Sequence, residues 1–328
     1  MTSQHLPSAA SRDVVSASHR RLVPARIVRE ADCPRDFVFD VHVIDGPMDP
    51  TGPDVGIIDT GVVVGGSGLH DFLRNRVTFH DTDIDEATRA DPGNSYGHGT
   101  FVAGVIGVES RSSRLQMKGV IDRESGKWED EAVANAIREF STDVQLINLS
   151  FSGDADEGLA PEVIVRALEG LGAERVVVAA AGNGGPDATP AFPAAVDLRG
   201  SQDPLIVSVG AVEFGAPGET PTIAEFSAQG DWVRVYANGR HISGPYRSAG
   251  WAKWTGTSFA CAIVTGRIAA AMANNAAAAM KETNGSRTRR LVKTGSSRDR
   301  VLLAKRWEGV DFIFNYPLVG NSLFRTIH

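Results

Sequence analysis

Three zones follow from the arrangement of apolar and polar positions. Residues 1–50 are polar and interrupted by Pro7, Pro24, Pro34, Pro47 and Pro50, with one strand-like run at Asp36–Ile44. From about Val55 to Asn275, short apolar runs alternate with helix-like stretches. The runs are VGIIDTGV (55–62), LQMKGVID (115–122), VQLINLSF (144–151), RVVVAAAG (175–182) and PLIVSVGAV (204–212). Most are continuous rather than alternating, as strands buried on both faces of a parallel sheet are. Glu129–Phe140 places Val133, Ala136, Ile137 and Phe140 on one helical face, with Asp130 and Glu131 at the positive end. Pro161–Leu171 reads as a helix that starts on a proline and is closed by Gly172. Thr257–Asn274 is a third helix, Ala-rich and buried. This alternation predicts an α/β fold of three layers, a central mostly parallel sheet flanked by helices. The zones predict an N-terminal extension (1–50), one domain (51–280) and a C-terminal extension (281–328) packed on that domain.

Composition narrows the picture only a little. At 42% apolar and 22% charged residues, the 328-residue chain has the balance of a globular protein with a substantial core. A net charge of −7 argues against nucleic acid as a partner. Residues 281–328 depart from the rest, with 10 Lys/Arg against 4 Asp/Glu; Arg287, Arg289 and Arg290 precede the apolar segment VDFIFNYPLV. Cys33 and Cys261 are too few and too far apart for a disulfide framework or a metal site, and read as free thiols. No window approaches a membrane span, and the first residues lack the apolar run of a secretory signal. The expected location is therefore the cytoplasm, or outside the cell if the N-terminus has been trimmed.

Four short motifs carry the candidate chemistry. The run IIDTGV ends in Asp59, at the carboxyl end of a parallel strand, where α/β sheets place their ligands. In YGHGTFVAGVIG (96–107), His98 lies between two glycines at the start of a helix, a rigid position suited to a general base. In TGTSFACAIVTG (255–266), Ser258 opens an Ala-rich helix whose N-terminal amides can stabilise an oxyanion. In VVVAAAGNGGP (176–186), Asn183 follows a buried strand and can offer its amide as a second oxyanion donor. Each alone has an ordinary reading as a turn, a structural histidine or a helix cap. Together, in this order, they form one constellation.

DTG, GHGT, AAGN and GTS in succession resemble the signature motifs of the subtilisin-like serine peptidases. LHDFL, LINLSFSG, FPAAV, VSVGAV and FSAQGDWVRVYA follow the family's order as well, so the resemblance covers roughly residues 53–275. It implies a subtilisin-like fold and a serine endopeptidase with the triad Asp59, His98 and Ser258. Asn183 and the Ser258 amide would form the oxyanion hole. It also implies that Ser150, Phe151, Ser152, Gly153, Ala180 and Gly182 line the substrate cleft, on a protein or peptide. No cofactor is required and no membrane is involved; a regulatory partner could dock on either extension.

Departures from the family pattern limit what carries over. Cys261, Ala262 and Ile263 stand where the family has Ser-Pro-His, and Phe151-Ser152 where it has Leu-Gly. Asp81, Asp83, Asp85, Glu86 and Asp91 crowd the segment before His98. They read as a solvated acidic loop, with calcium binding as the alternative; the EF-hand pattern fails at Glu86 and Pro92. Two other functions remain open, an acyl-enzyme resolved by an amine (a peptide ligase or macrocyclase) and a non-catalytic binding pseudo-protease.

Overall fold

The computed structural model describes residues 52–276, except for 67, 86–94, 155–158, 199, 201, 215–220 and 249. Outside that span it describes four strands: His19–Arg21, Ile27–Arg29, Lys305–Trp307 and Val310–Phe312. The Asp36–Ile44 run, Cys33, Glu86, Asp91 and the Arg287–Arg290 loop lie outside the described residues.

The sheet is built from β1 (Asp54–Asp59), β2 (Arg114–Gly119), β3 (Val144–Leu149), β4 (Val176–Ala180), β5 (Leu205–Glu213) and β6 (Val235–Asn238). They run parallel in the order β2-β1-β3-β4-β5-β6. Because β2 and β3 leave β1 in opposite directions, the order reverses there, and such a switch point opens a crevice at the carboxyl ends of the strands. A hairpin of β7 (Ile242–Pro245) and β8 (Trp251–Trp254) stands apart from this sheet.

Side-chain alternation divides the core in two. Val55 and Ile57 of β1 and Val176, Val178 and Ala180 of β4 pack against α1 (His98–Glu109) and α4 (Thr257–Ala276). Ile58, Val177 and Ala179 face the other way, onto α2 (Asp130–Glu139) and α3 (Glu162–Glu169). Burial on both faces explains why the sequence shows unbroken apolar runs. The runs overshoot the strands because their last residues leave the ladder at the crevice: β1 stops at Asp59, β3 at Leu149 and β4 at Ala180.

The four strands outside 52–276 all add to sheet edges. His19–Arg21 pairs antiparallel with Lys127–Glu129, and Ile27–Arg29 pairs antiparallel with β8. Val310–Phe312 extends the main sheet beyond β6, and Lys305–Trp307 pairs with it in turn. No described helix is long and apolar enough to cross a membrane.

Candidate active site

Asp59 closes β1 with its carboxylate fully buried. Its Oδ1 accepts hydrogen bonds from the Thr60 amide and from His98 Nδ1, both at 2.7 Å. A carboxylate can only accept, so Nδ1 carries the proton and Nε2 keeps a free lone pair, the tautomer a base requires. The imidazole is packed edge-on to Trp254 (5.2 Å between centroids) and tilted over Phe259 (5.4 Å).

A close backbone approach makes this pairing possible. The Gly99 amide donates to Thr60 Oγ1 at 3.0 Å, and a Cβ on Gly99 would lie 2.2 Å from the Gly61 carbonyl oxygen. Any side chain at Gly99 would therefore separate the turn after Asp59 from the helix that begins at His98.

Ser258 is the second residue of α4 and is buried. Phe259, its neighbour, is the residue stacked on His98, which brings the start of α4 to the imidazole. No hydrogen bond is recorded from Nε2 to Ser258 Oγ; catalytic bonds of this kind often tighten only around a substrate. Asn183 lies beside the same helix start, its Oδ1 accepting from the Thr257 amide and hydroxyl, each at 2.9 Å. With Oδ1 pinned, the amide's orientation is set, and Nδ2 has no hydrogen bond to a described residue.

The cleft residues expected from the family pattern divide into two kinds. Ser150 and Phe151 are fully buried with their side chains turned inward. Ser150 Oγ donates to the Ser258 carbonyl at 2.8 Å and accepts from Asn148 Nδ2 at 2.9 Å, while Phe151 packs edge-on to Trp128 at 5.0 Å. Neither side chain is therefore free to meet a ligand. Ser152 and Gly182 lie together, since a Cβ on Gly182 would be 3.2 Å from Ser152 Oγ; Gly182 has φ +110°, and Ala180 is buried. Cys261 is also enclosed, and burial pushes its thiol up to about 12, which makes it inert.

The solvated acidic loop is corrected for two of its members, because Asp83 and Asp85 are buried. Asp83 accepts from the Gly119 and His80 amides at 2.9 and 2.8 Å. Asp85 Oδ2 accepts from Thr60 Oγ1 at 2.9 Å and from the Gly97 amide at 2.8 Å. Asp85 thus joins the residue after Asp59 to the residue before His98. Burial pushes its carboxyl up to about 6, opposed by these two donors and by Arg123, 3.8 Å away. No local spacing in the sequence distinguishes Asp85 from its acidic neighbours; only long-range folding does. Among the described residues no group of three acidic, His or Cys side chains could hold a metal; Glu86 and Asp91 of the acidic segment lie outside those residues.

A buried carboxylate–imidazole pair beside a serine at a helix N-terminus, at the switch point of a parallel sheet, is the arrangement of a serine hydrolase on an α/β scaffold. The subtilase family profile matches residues 51–306, and the chain belongs to that family. It is 26% identical over 271 residues to an intracellular serine protease of Paenibacillus polymyxa, covering 76% of each chain. It is 29% identical over 232 residues to the major intracellular serine protease of Bacillus subtilis, covering 66% of each. Among solved structures, the protease domain of PatA superposes with a TM-score of 0.62 at 24% identity, over 77% of this chain and 90% of that one. The A-subunit of the AB5 toxin from E. coli gives 0.60 at 24%, over 81% and 91%. These two likenesses concern the fold.

Proposed function

We propose that the protein is a serine endopeptidase that hydrolyses peptide bonds through an acyl-enzyme on Ser258. The observation that carries this reading is the buried 2.7 Å bond between His98 Nδ1 and Asp59, which fixes the tautomer that leaves Nε2 basic. Ser258 Oγ attacks the scissile carbonyl carbon while Nε2 takes its proton, and the buried Asp59 carboxylate stabilises the resulting imidazolium. The oxyanion is met by Asn183 Nδ2 and the Ser258 amide, both supported by the α4 N-terminus. His98 then returns the proton to the leaving amine, and water, deprotonated by the same nitrogen, releases the acyl half. No step of this sequence requires a metal. Membership of the subtilase family and the two intracellular serine proteases among its relatives support this reading.

Fluorophosphonate labelling, with the modified residue located by mass spectrometry, tests it. The expected result is a single adduct on Ser258 that is absent from Ser258→Ala and at least about 1,000-fold slower to form in His98→Ala. An unlabelled, well-folded wild type would reject the reading.

A further inference from the structure

The turn of the β7–β8 hairpin holds an arginine for which the catalytic machinery has no use. Arg247 stands at φ +58°, a left-handed backbone conformation uncommon outside glycine. Its guanidinium carbon is 5.0 Å from the ring centroids of both Tyr96 and Tyr246. Its Nε is buried without a hydrogen-bond partner, and no carboxylate among the described residues pairs with it. The arginine is nonetheless close to the site. A Cβ on Gly97, the residue before His98, would lie 3.3 Å from the Tyr246 ring and 3.7 Å from Arg247 Cγ. Tyr246 in turn packs against Trp254, which packs against His98.

Stacking on aromatic rings engages the face of a guanidinium and leaves its N–H donors in the plane of the group, directed at its edge. The Nη end of the guanidinium, which no described residue engages, is a preformed fork for a carboxylate. Its place relative to His98 says which part of a substrate meets it. His98 delivers its proton to the leaving amine, so the departing half of the peptide lies along His98 and the residues flanking it. On that reading the acyl half would lie on the other side, against Ser150–Gly153 and Ala180–Gly182.

We propose that Arg247 is a specificity-determining residue that binds a carboxylate on the leaving-group side of the scissile bond. The carboxylate is either an Asp or Glu side chain or a free peptide C-terminus. The assignment rests on the endopeptidase reading for which side of the bond is concerned.

The test uses the full chain and peptides that carry Glu, Gln or Lys at each position of the leaving half, every peptide made both as the C-terminal acid and as the amide. Cleavage is read as kcat/KM, and binding to Ser258→Ala by fluorescence anisotropy. At one position Glu is expected to exceed Gln by about 10- to 100-fold, the range of a charge-assisted hydrogen bond. If the C-terminus is the ligand, the acid exceeds the amide instead. Arg247→Gln brings that ratio close to one and Arg247→Glu turns it in favour of Lys, with melting curves confirming that both variants fold. Equal cleavage and equal binding of all peptides by the wild type, or a preference that survives in Arg247→Gln, would overturn the assignment. An Arg247-dependent preference in binding, in a chain that neither cleaves nor labels, would reject the endopeptidase reading and leave the carboxylate site standing.

Discussion

Asp85 shows how one buried residue serves the site from outside it. Both of its recorded hydrogen bonds converge on Oδ2, one from Thr60 and one from Gly97. An asparagine that puts its carbonyl oxygen in that place keeps both bonds while replacing the charged Oδ1 beside Arg123 with an amide, whereas alanine loses both. Asp85→Ala is therefore expected to lower stability by about 1–3 kcal/mol and to slow labelling of Ser258, while Asp85→Asn labels at close to the wild-type rate. The charge has its own signature. The folded carboxyl, at about 6, is raised above its ordinary 3.8 by burial, so between those values the native state holds the extra proton. Its favourable contribution is complete below about pH 4 and is lost as pH rises through about 6. Chemical denaturation at pH 4 and pH 7 reads this out: relative to Asp85→Asn, the wild type should lose on the order of 2–3 kcal/mol across that interval. Parallel pH profiles for the two proteins would remove the charge from this account.

Helices α1 and α4, which deliver His98 and Ser258, are held together by a buried ion pair as well as by apolar packing. Arg267 donates to Glu109 at 2.7 Å, with side-chain exposures of 5% and 20%. Burial raises the carboxyl and lowers the guanidinium, each against the pull of the partner, so desolvation outweighs attraction on both members. Such a pair fixes how two elements meet without adding much net stability. Arg267→Ala or Glu109→Ala alone should cost roughly 3–5 kcal/mol, because each strands a buried charge. Methionine at both positions should come within about 2 kcal/mol of the wild type or exceed it, as urea midpoints would show. A double variant as unstable as either single one would mean that the pair itself carries the stability.

At the scale of the whole molecule, two strands from residues 1–50 pair with edges elsewhere in the chain. His19–Arg21 occupies the Lys127–Glu129 edge and also lies near the Gly153–Asp154 strand. Ile27–Arg29 occupies the edge of β8, whose Trp254 packs on His98. The two strands therefore cover backbone edges to which an extended peptide could pair, one of them on the strand that carries Trp254 against His98. A chain lacking residues 1–50 is expected to label with fluorophosphonate and to cleave peptides faster than the full chain. Equal rates would mean that the extension leaves the cleft open.

The amino-acid sequence determined the layered α/β architecture through runs of apolar residues long enough to be buried on both faces. It also determined the residues that meet at the switch point, because DTG, GHGT, AAGN and GTS each stand where a strand ends or a helix begins. These are local signals, legible one segment at a time. The tertiary structure decided which side chains at those junctions face inward. Ser150 and Phe151 sit on a segment whose side chains have two directions available, and the bond to the Ser258 carbonyl and the packing on Trp128 chose the buried one. Asp85 could not be told from an exposed acid, since its donors, the Thr60 hydroxyl and the Gly97 amide, come from other parts of the chain; Asp83 has one local donor, the His80 amide, and one distant one, the Gly119 amide. Arg247 meets Tyr96 only because the β7–β8 turn is folded over Gly97. Burial and partnership of a polar group depend on which distant donors arrive beside it, and that is a property of the folded chain alone.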